Sequence, residues 1–199
     1  QQLRIKADGS GHYTTIQSGI EAAGNGDTIL ITDGVYRENL VIVDKDLILR
    51  SENGPKVTTI DANQFGRCVD IKGTSQVELR GVTITNGLAD EGGGIRTNSS
   101  QTVLLANLHI KSNYGRGILV NGNASVVIDA CHICQNPQGG ILNNNDNLVI
   151  NNSLICHNKS SDGGGIRTER HLKLINSTIA FNSTPSGRYG SGICNASYD

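Results

Sequence analysis

Two carboxylates and three cationic or titratable side chains lie close together near the middle of the chain. Asp90 and Glu91 precede Arg96, and His109 and Lys111 follow within one repeat. Carboxylates beside Arg, His or Lys supply the groups that general acid–base catalysis uses. If the chain brings all five together at one corner, they form a candidate catalytic site. A solvated loop whose charges cancel explains the same cluster, and the sequence favours that interpretation.

A second polar set follows a later copy of the same Gly-rich corner. Its Arg167 is predicted to share one column with Arg96, with Leu119 and Leu142 between them. An Arg that recurs in one column is more typical of repeat ancestry than of a site. The other members of this set are Asp162, Glu169, Arg170, His171 and Lys173.

His109 and His132 are predicted to stack in one outward column that Leu154 and Thr178 continue. Asp129 lies close to His132 in sequence, which permits a metal site or an acid–base pair. A ladder of surface histidines accounts for the pattern equally well. No metal is therefore assigned.

An internal repeat of 23–27 residues organises these side chains. Each unit has a Gly-rich corner followed by Ile, and counting back 24 residues from Ile95 places Ile71 in an earlier unit. Two further short segments alternate apolar and polar residues, and each unit closes on an Asn that can bond the next coil's turn. Three strands per unit, each paired with its copy one coil away at about 4.8 Å, predict an all-β, right-handed parallel β-helix of about seven coils. The corner isoleucines are Ile95, Ile118, Ile141, Ile166 and Ile193, and the closing asparagines are Asn113, Asn136, Asn158 and Asn182.

The first 27 residues differ from the repeat and predict a strand and a short capping helix. Ile16, Ile20 and Ala23 fall on one helical face. A helix here would cover the otherwise unpaired strand edges of the first coil. We therefore expect one domain, with the cap in residues 1–27 and the coils in 28–199.

Over nearly its whole length the chain resembles the pectin-lyase-like β-helix superfamily. The segment from Ala7 to Asn39, which includes Asp8-Gly9-Ser10-Gly11 and Gly34-Val35-Tyr36-Arg37, is similar to the start of secreted bacterial members and of pectin methylesterases. The resemblance implies the β-helix fold. It leaves activity open, because the superfamily contains lyases, hydrolases, esterases, adhesins and proteins without chemistry.

The enzymatic motifs of that superfamily do not transfer to this chain. A methylesterase would need a Gln-Asp pair and an Asp-Phe-Ile-Phe-Gly run, and the sequence has neither. A calcium-dependent lyase would need several carboxylates on one face, and the nearest set is Asp90 and Glu91 with Arg96. Calcium is expected only in that case, and otherwise no cofactor is predicted. The nearly constant unit length also leaves little chain to enclose a sugar polymer.

Composition limits the partners of the protein. A net charge of -1 gives no electrostatic reason to expect nucleic acid or an anionic membrane. No apolar run approaches the roughly 20 residues of a membrane span. The chain starts at Gln1 rather than Met, which predicts a removed leader and a secreted or cell-surface location.

Two of the five cysteines are predicted to pair. Cys134 and Cys156 share a column on consecutive coils, where the Cα separation of about 5 Å suits a disulfide. In an oxidising compartment we expect this bond. A metal site that also uses His132 and His157 is the alternative, and Cys131 is predicted to be a core thiol.

Seven Asn-x-Ser/Thr triplets occur in the chain. Glycosylation of an exported protein would explain their number, and so would the turn chemistry of the repeat. Asn151 and Asn176 lie at corners too tight for a glycan. The remaining candidates for glycosylation are Asn98, Asn123, Asn158, Asn182 and Asn195.

Several outward positions of the predicted coils carry apolar residues. A monomer seldom leaves a contiguous apolar stripe in water, and the last unit is less than half a coil without a cap. These features predict an assembly interface, for self-association or a cell-surface partner. Loops of the chain itself are the alternative cover. The interface candidates are Leu104, Leu119, Val127, Leu142, Val149, Leu154 and Ile193.

The sequence thus predicts a non-catalytic extracellular structural or adhesive module. In the sharper form of this hypothesis, the module self-assembles as a filament or surface-layer subunit. The alternative is a carbohydrate-active enzyme, a lyase or hydrolase of an acidic polysaccharide, or a glycan-binding module.

Overall fold

The computed structural model describes residues 1–185 and 190–196. Residues 197–199, the end of the predicted last unit, lie outside the described part. The first half of the chain contains β1 (Gln2–Ile5), α1 (Ile16–Ala22), β2 (Asp27–Ile31), β3 (Gly34–Tyr36), β4 (Leu40–Val43), β5 (Leu47–Ser51), β6 (Thr58–Asp61), β7 (Val69–Gly73), β8 (Val77–Arg80), β9 (Thr83–Thr85) and β10 (Ile95–Ser99). The second half contains β11 (Val103–Ala106), β12 (His109–Lys111), β13 (Ile118–Val120), β14 (Val126–Asp129), β15 (His132–Cys134), β16 (Ile141–Asn143), β17 (Leu148–Asn151), β18 (Leu154–Cys156), β19 (Ile166–Thr168), β20 (Leu172–Ile175), β21 (Thr178–Ala180) and β22 (Ile193–Asn195).

The strands wind into a parallel β-helix with three sheets. Sheet A has the strand order β1-β2-β5-β8-β11-β14-β17-β20. Sheet B has the order β3-β6-β9-β12-β15-β18-β21, and sheet C has the order β4-β7-β10-β13-β16-β19-β22. Strands β2 to β4 form the first complete three-strand turn, and β20 to β22 form the seventh. Strand β1 precedes them and contributes one strand of an additional, incomplete turn. The predicted all-β solenoid is confirmed, with about eight turns instead of about seven.

Stacked aliphatic side chains fill the interior of the coil. Along β11, Val103 and Leu105 are fully buried while Leu104 between them points outward and is half-buried. In register with Leu105, Leu79 and Ile128 on the neighbouring coils are equally buried. The period-two pattern therefore builds one continuous core from residues about a coil apart in sequence.

A ladder of buried asparagines closes the coils between sheets B and C. The Asn113 backbone N–H donates to Asn136 Oδ1 at 3.1 Å, and Asn136 Nδ2 donates to Asn158 Oδ1 at 2.9 Å. Asn182 continues the ladder, since its Oδ1 accepts from both nitrogens of Asn158. The predicted Asn-to-turn bonding is confirmed. Because the Asn158 amide is completely buried in this ladder, a glycan on Asn158 is incompatible with the fold, and that expectation is wrong.

Helix α1 covers the first coil as predicted. Ile16, Ile20 and Ala23 are all buried. The Glu38 carboxylate accepts two backbone N–H groups at the start of the helix, each at 2.9 Å. Lys45 Nζ donates to three carbonyl groups at its end, at 2.7 to 2.9 Å. Side chains of the coil therefore satisfy both ends of a helix too short to be stable alone.

Among the described residues, no helix has the length and apolarity that crossing a membrane requires, and α1 has only seven residues.

The predicted disulfide joins neighbouring strands of sheet B. Cys134 and Cys156 are bonded with a Cα–Cα distance of 4.7 Å, so neither sulfur is left for the alternative metal site. Burial raises the pKa of Cys68 and of Cys131 to about 12. Both are buried free thiols, as expected of core cysteines.

Candidate functional site

The structure separates the five residues predicted to form a catalytic cluster. Asp90, Glu91 and Arg96 lie beside sheet C and line one open cavity. His109 and Lys111 belong to β12 in sheet B and line a different cavity. The five candidate residues do not converge, because β10, β11 and β12 carry the chain through all three sheets within one coil.

The partner of Arg96 is Asp70, which sequence reasoning missed. Arg96 Nε and Nη2 donate to the two carboxylate oxygens at 2.7 and 2.6 Å. The register pairs Ile95 with Val69 rather than Ile71. Counting back 24 residues failed because the turn of residues 86–94 is three residues longer than its next copy, 112–117. Once that length is allowed for, the sequence places Asp70 beside Arg96.

Three cationic side chains surround the Asp70 carboxylate. Lys72 Nζ lies 3.0 Å from its carboxylate and Arg67 Nη1 lies 3.7 Å away. Burial acts to raise the pKa of Asp70, but the hydrogen bonds from Arg96 and Lys72 outweigh it, and the pKa is lowered. A carboxylate held in this way cannot deliver a proton as a general acid.

Differences in turn length create a groove along sheet C. The turns 86–94 and 157–165 have nine residues each, and the two turns between them, 112–117 and 135–140, have six. The long turns are three strand steps apart, so about 14 Å separates their backbones. A cavity of about 420 Å³ lies between them. We call it the turn groove, and its charged lining residues are Asp90, Glu91, Arg116, Lys159, Asp162 and Arg167.

Arg116 forms the buried floor of the turn groove. Its Nη2 donates to Asp162 Oδ1 at 2.7 Å and to the Asp162 carbonyl at 2.9 Å. Asp162 also accepts from Arg167, which in turn binds Glu169. Burial lowers the pKa of Arg116, and the charge of Asp162 opposes that effect. The only sequence signal for Arg116 is an Arg between two glycines, at a corner position where the next two copies have Gly139 and Gly164.

The charges lining the turn groove balance. The acidic residues Asp90, Glu91 and Asp162 oppose three basic ones, Arg116, Lys159 and Arg167. Arg116 and Asp162 are bound to each other, whereas Asp90, Glu91 and Lys159 are exposed at the walls. The groove therefore presents hydrogen-bond donors and acceptors without a net charge.

Two of the predicted interface residues are covered by the chain itself. Leu119 and Leu142 are 3% and 2% exposed, so their expected exposure is wrong. Gly92 has φ 61° and lies so close to Leu119 that a Cβ added to it would be 2.5 Å from Leu119 Cβ. The glycine conformation thus folds the long turn over the sheet. Leu104, Val127, Val149 and Leu154 stay half-buried, and Ile193 is 41% exposed.

An apolar rim lies beside the turn groove. Leu88 and Tyr114 are 47% and 44% exposed and pair with each other on adjacent turns. An exposed tyrosine offers a flat apolar face with a polar tip. Such a rim can contact the face of a sugar ring.

The predicted histidine column is present on sheet B. The rings of His109 and His132 stack with centroids 5.0 Å apart. Burial, and then the charge of His132, lower the pKa of His109. In residues 1–185 and 190–196, no three His, Cys, Asp or Glu side chains are grouped so that they would hold a metal ion. Asp70, with three cations around it, does not fit calcium either.

The remaining glycosylation candidates differ in accessibility. Asn98, Asn123 and Asn195 are exposed, whereas Asn182 is half-buried and its amide donates to the Ile155 carbonyl at 2.9 Å.

Comparison with known proteins identifies the family. The model of the right-handed β-helix region matches residues 67–197, more than half of the 199 residues, and the chain belongs to this family. The crystal structure of the pectin methylesterase from Aspergillus niger in deglycosylated form is similar, with a TM-score of 0.51 and 17% identity over 99% of this chain and 91% of that one. The penultimately deglycosylated form of the same enzyme gives the same values. Pectate lyase Pel9A gives a TM-score of 0.39 and 12% identity, over 100% of this chain and 78% of that one. No curated protein matches the chain. At these identities the structures share the fold alone.

Proposed function

We propose that this chain is a non-catalytic adhesive module that binds a linear, uncharged, hydroxyl-rich glycan in the turn groove. The observation that carries the proposal is the pairing of the buried charges: Asp70 with Arg96, and Asp162 with Arg116. A site that hydrolyses a glycosidic bond needs a carboxyl group whose environment keeps it protonated until it acts. Asp70 has the opposite environment, and Asp162 is held by two arginines.

The balance of charge along the walls supports an uncharged ligand. Sugar hydroxyls both donate and accept, so they can bind exposed carboxylates on one wall and Lys159 on the other. An acidic polymer would meet Asp90 and Glu91 at the entrance. The apolar rim of Leu88 and Tyr114 adds a surface for a ring face.

An extracellular location is part of the proposal. The Cys134–Cys156 disulfide supports an oxidising compartment. A rigid coil braced by this bond and by the asparagine ladder holds the groove in one shape, which lowers the entropy cost of binding.

Glycan binding is tested by affinity electrophoresis and calorimetry with neutral xylan, cello-oligosaccharides and polygalacturonate. We expect at least one neutral polymer to bind and to remain uncleaved. Tyr114→Ala and the double variant Asp90→Asn/Glu91→Gln should each weaken binding about tenfold, a loss of about 1.4 kcal/mol. Matched controls are Val35→Ala on sheet B and Glu21→Gln on α1, which should bind like the wild type. Preference for polygalacturonate, or equal binding by all variants, would refute the assignment of the groove.

Ester hydrolysis is the second candidate function. It is favoured by one observation, the hydrogen-bonded Asp70 and Arg96 on adjacent coils of the fold that the pectin methylesterase shares. The outward positions on the next two coils are Leu119 and Leu142, so no second carboxylate follows in that column. Methanol release from methylesterified pectin, lost in Asp70→Asn, would establish this activity in place of simple binding.

A further inference from the structure

The outer face of sheet A carries a stripe whose order is self-complementary. The register places eight residues, from Gln2 on β1 to Lys173 on β20, in one outward column, each one strand from the next. We call the last five members of this column the A stripe. Its members, in order along the coil axis, are Glu78, Leu104, Val127, Val149 and Lys173. Reversing the order about Val127 exchanges the acid with the base and one aliphatic residue with another.

We propose that two copies of this chain dimerise face to face through the A stripe, about a twofold axis that runs parallel to the strands over Val127. This rotation reverses the coil axis and keeps the strand direction. Glu78 of each copy then faces the partner's Lys173, and Leu104 faces the partner's Val149. In an isologous interface each such pair occurs twice.

Charge selects this axis over the other face-to-face arrangement. A twofold axis parallel to the coil axis would put Lys173 against its own copy and Glu78 against its own copy. Like charges placed opposite one another cost free energy. Glu78 already binds Arg80 at 2.7 Å, whereas Lys173 is exposed at the other end of the stripe. The proposed axis gives both lysines an acidic neighbour.

The state of the face also suits a second copy. Leu104, Val127 and Val149 are half-buried on the outer surface of sheet A, so part of each apolar side chain is open to solvent. Two such sheets can pack at the usual aligned angle with about 10 Å between them. This geometry joins two closed units and does not propagate into a filament.

The size of the face predicts a weak dimer. The proposed axis overlaps the two copies only from β8 to β20, and these four strand steps and four residues give about 19 Å by about 13 Å. That area is well below the roughly 800 Å² per partner of a standard stable interface. We therefore expect a dissociation constant of roughly 100 µM to 1 mM.

Asp129 provides an independent test of the axis. It lies two residues along β14 from Val127, at the same coil level, so the proposed rotation brings it opposite its own copy. Its Oδ1 accepts from Asn152 Nδ2 at 2.9 Å, which only partly offsets the repulsion. Asp129→Asn should tighten the dimer several-fold.

Sedimentation velocity over about 1–500 µM measures the association. We expect monomer–dimer exchange for the wild type, and at least tenfold weaker association for Glu78→Lys and for Lys173→Glu. The double variant Glu78→Lys/Lys173→Glu should restore most of it, because each new lysine again faces a glutamate. Lys111→Glu on sheet B is the matched control and should leave association unchanged.

Circular dichroism and the urea midpoint at low concentration show whether each variant is folded. A wild type that stays monomeric throughout, species larger than a dimer, or a double variant no better than the single ones would overturn the proposal. These outcomes are independent of glycan binding, because the turn groove lies beside sheet C and no A-stripe residue lines it.

Discussion

The outer faces of sheets A and C are built from the same repeat, yet they meet solvent differently. On sheet C, Leu119 and Leu142 are buried, the long turn 86–94 packs against Leu119, and the nearby charges are paired. On sheet A, Leu104, Val127 and Val149 point outward under no such cover. An outward apolar residue is therefore not by itself an interface. What distinguishes the two faces is the length of the turns beside them.

A charge placed on each face should give the largest contrast. Leu119→Asp buries a carboxylate under the turn 86–94 beside Arg96, which already binds Asp70, and should lower the free energy of unfolding by about 3 kcal/mol. Val127→Asp places the same charge on the open face and should cost less than about 1 kcal/mol. Urea denaturation at a few micromolar, where the chain is monomeric, measures both. Equal losses would mean that the two faces are equally covered.

The buried ion pair beneath the turn groove should give the next largest effect. Asp162→Ala leaves Arg116 buried without its carboxylate and should cost about 3 kcal/mol. Glu169→Ala removes only the outer, more exposed partner of Arg167 and should cost about 0.5 kcal/mol. If both variants unfold at the same urea concentration, the Arg116–Asp162 pair has no special role.

Asp70 should make the stability of the sheet C side depend on pH. Its pKa is lower in the folded than in the unfolded chain, so its contribution is complete above the unfolded pKa of about 3.9. That contribution is lost as the pH falls through the folded pKa. As the pH falls below the unfolded pKa, the wild type should therefore lose more stability than Asp70→Asn. Thermal unfolding of the two proteins at a series of acidic pH values measures this difference. If the stability of both proteins fell equally with pH, the prediction would be wrong.

Truncation of the open face should have the smallest effect on the monomer. Leu104→Ala removes a half-exposed side chain and should cost less than about 1 kcal/mol. Its neighbour Leu105 is fully buried, and Leu105→Ala should cost about 2–5 kcal/mol. A loss at Leu104 as large as that at Leu105 would show that sheet A is covered in the monomer.

Much of the scaffold could be predicted from the sequence because the repeat fixes it. Residues that share a column lie one coil apart, and this rule predicted the Cys134–Cys156 bond, the stacking of His109 on His132 and the asparagine ladder. The same reasoning placed Arg96, Leu119, Leu142 and Arg167 in one column. Each of these depends on the strand spacing and on alternation with period two, which are local properties.

The groove and the pairing of its charges were decided by the tertiary structure. Asp70 beside Arg96 depended on three extra residues in one turn, and Arg116 bonds to Asp162 over a separation of 46 residues. Inside the coil every side chain must stack on its copy, so the sequence determines the interior. The turns have no such constraint outside the coil, and only the folded chain determines which surface they cover.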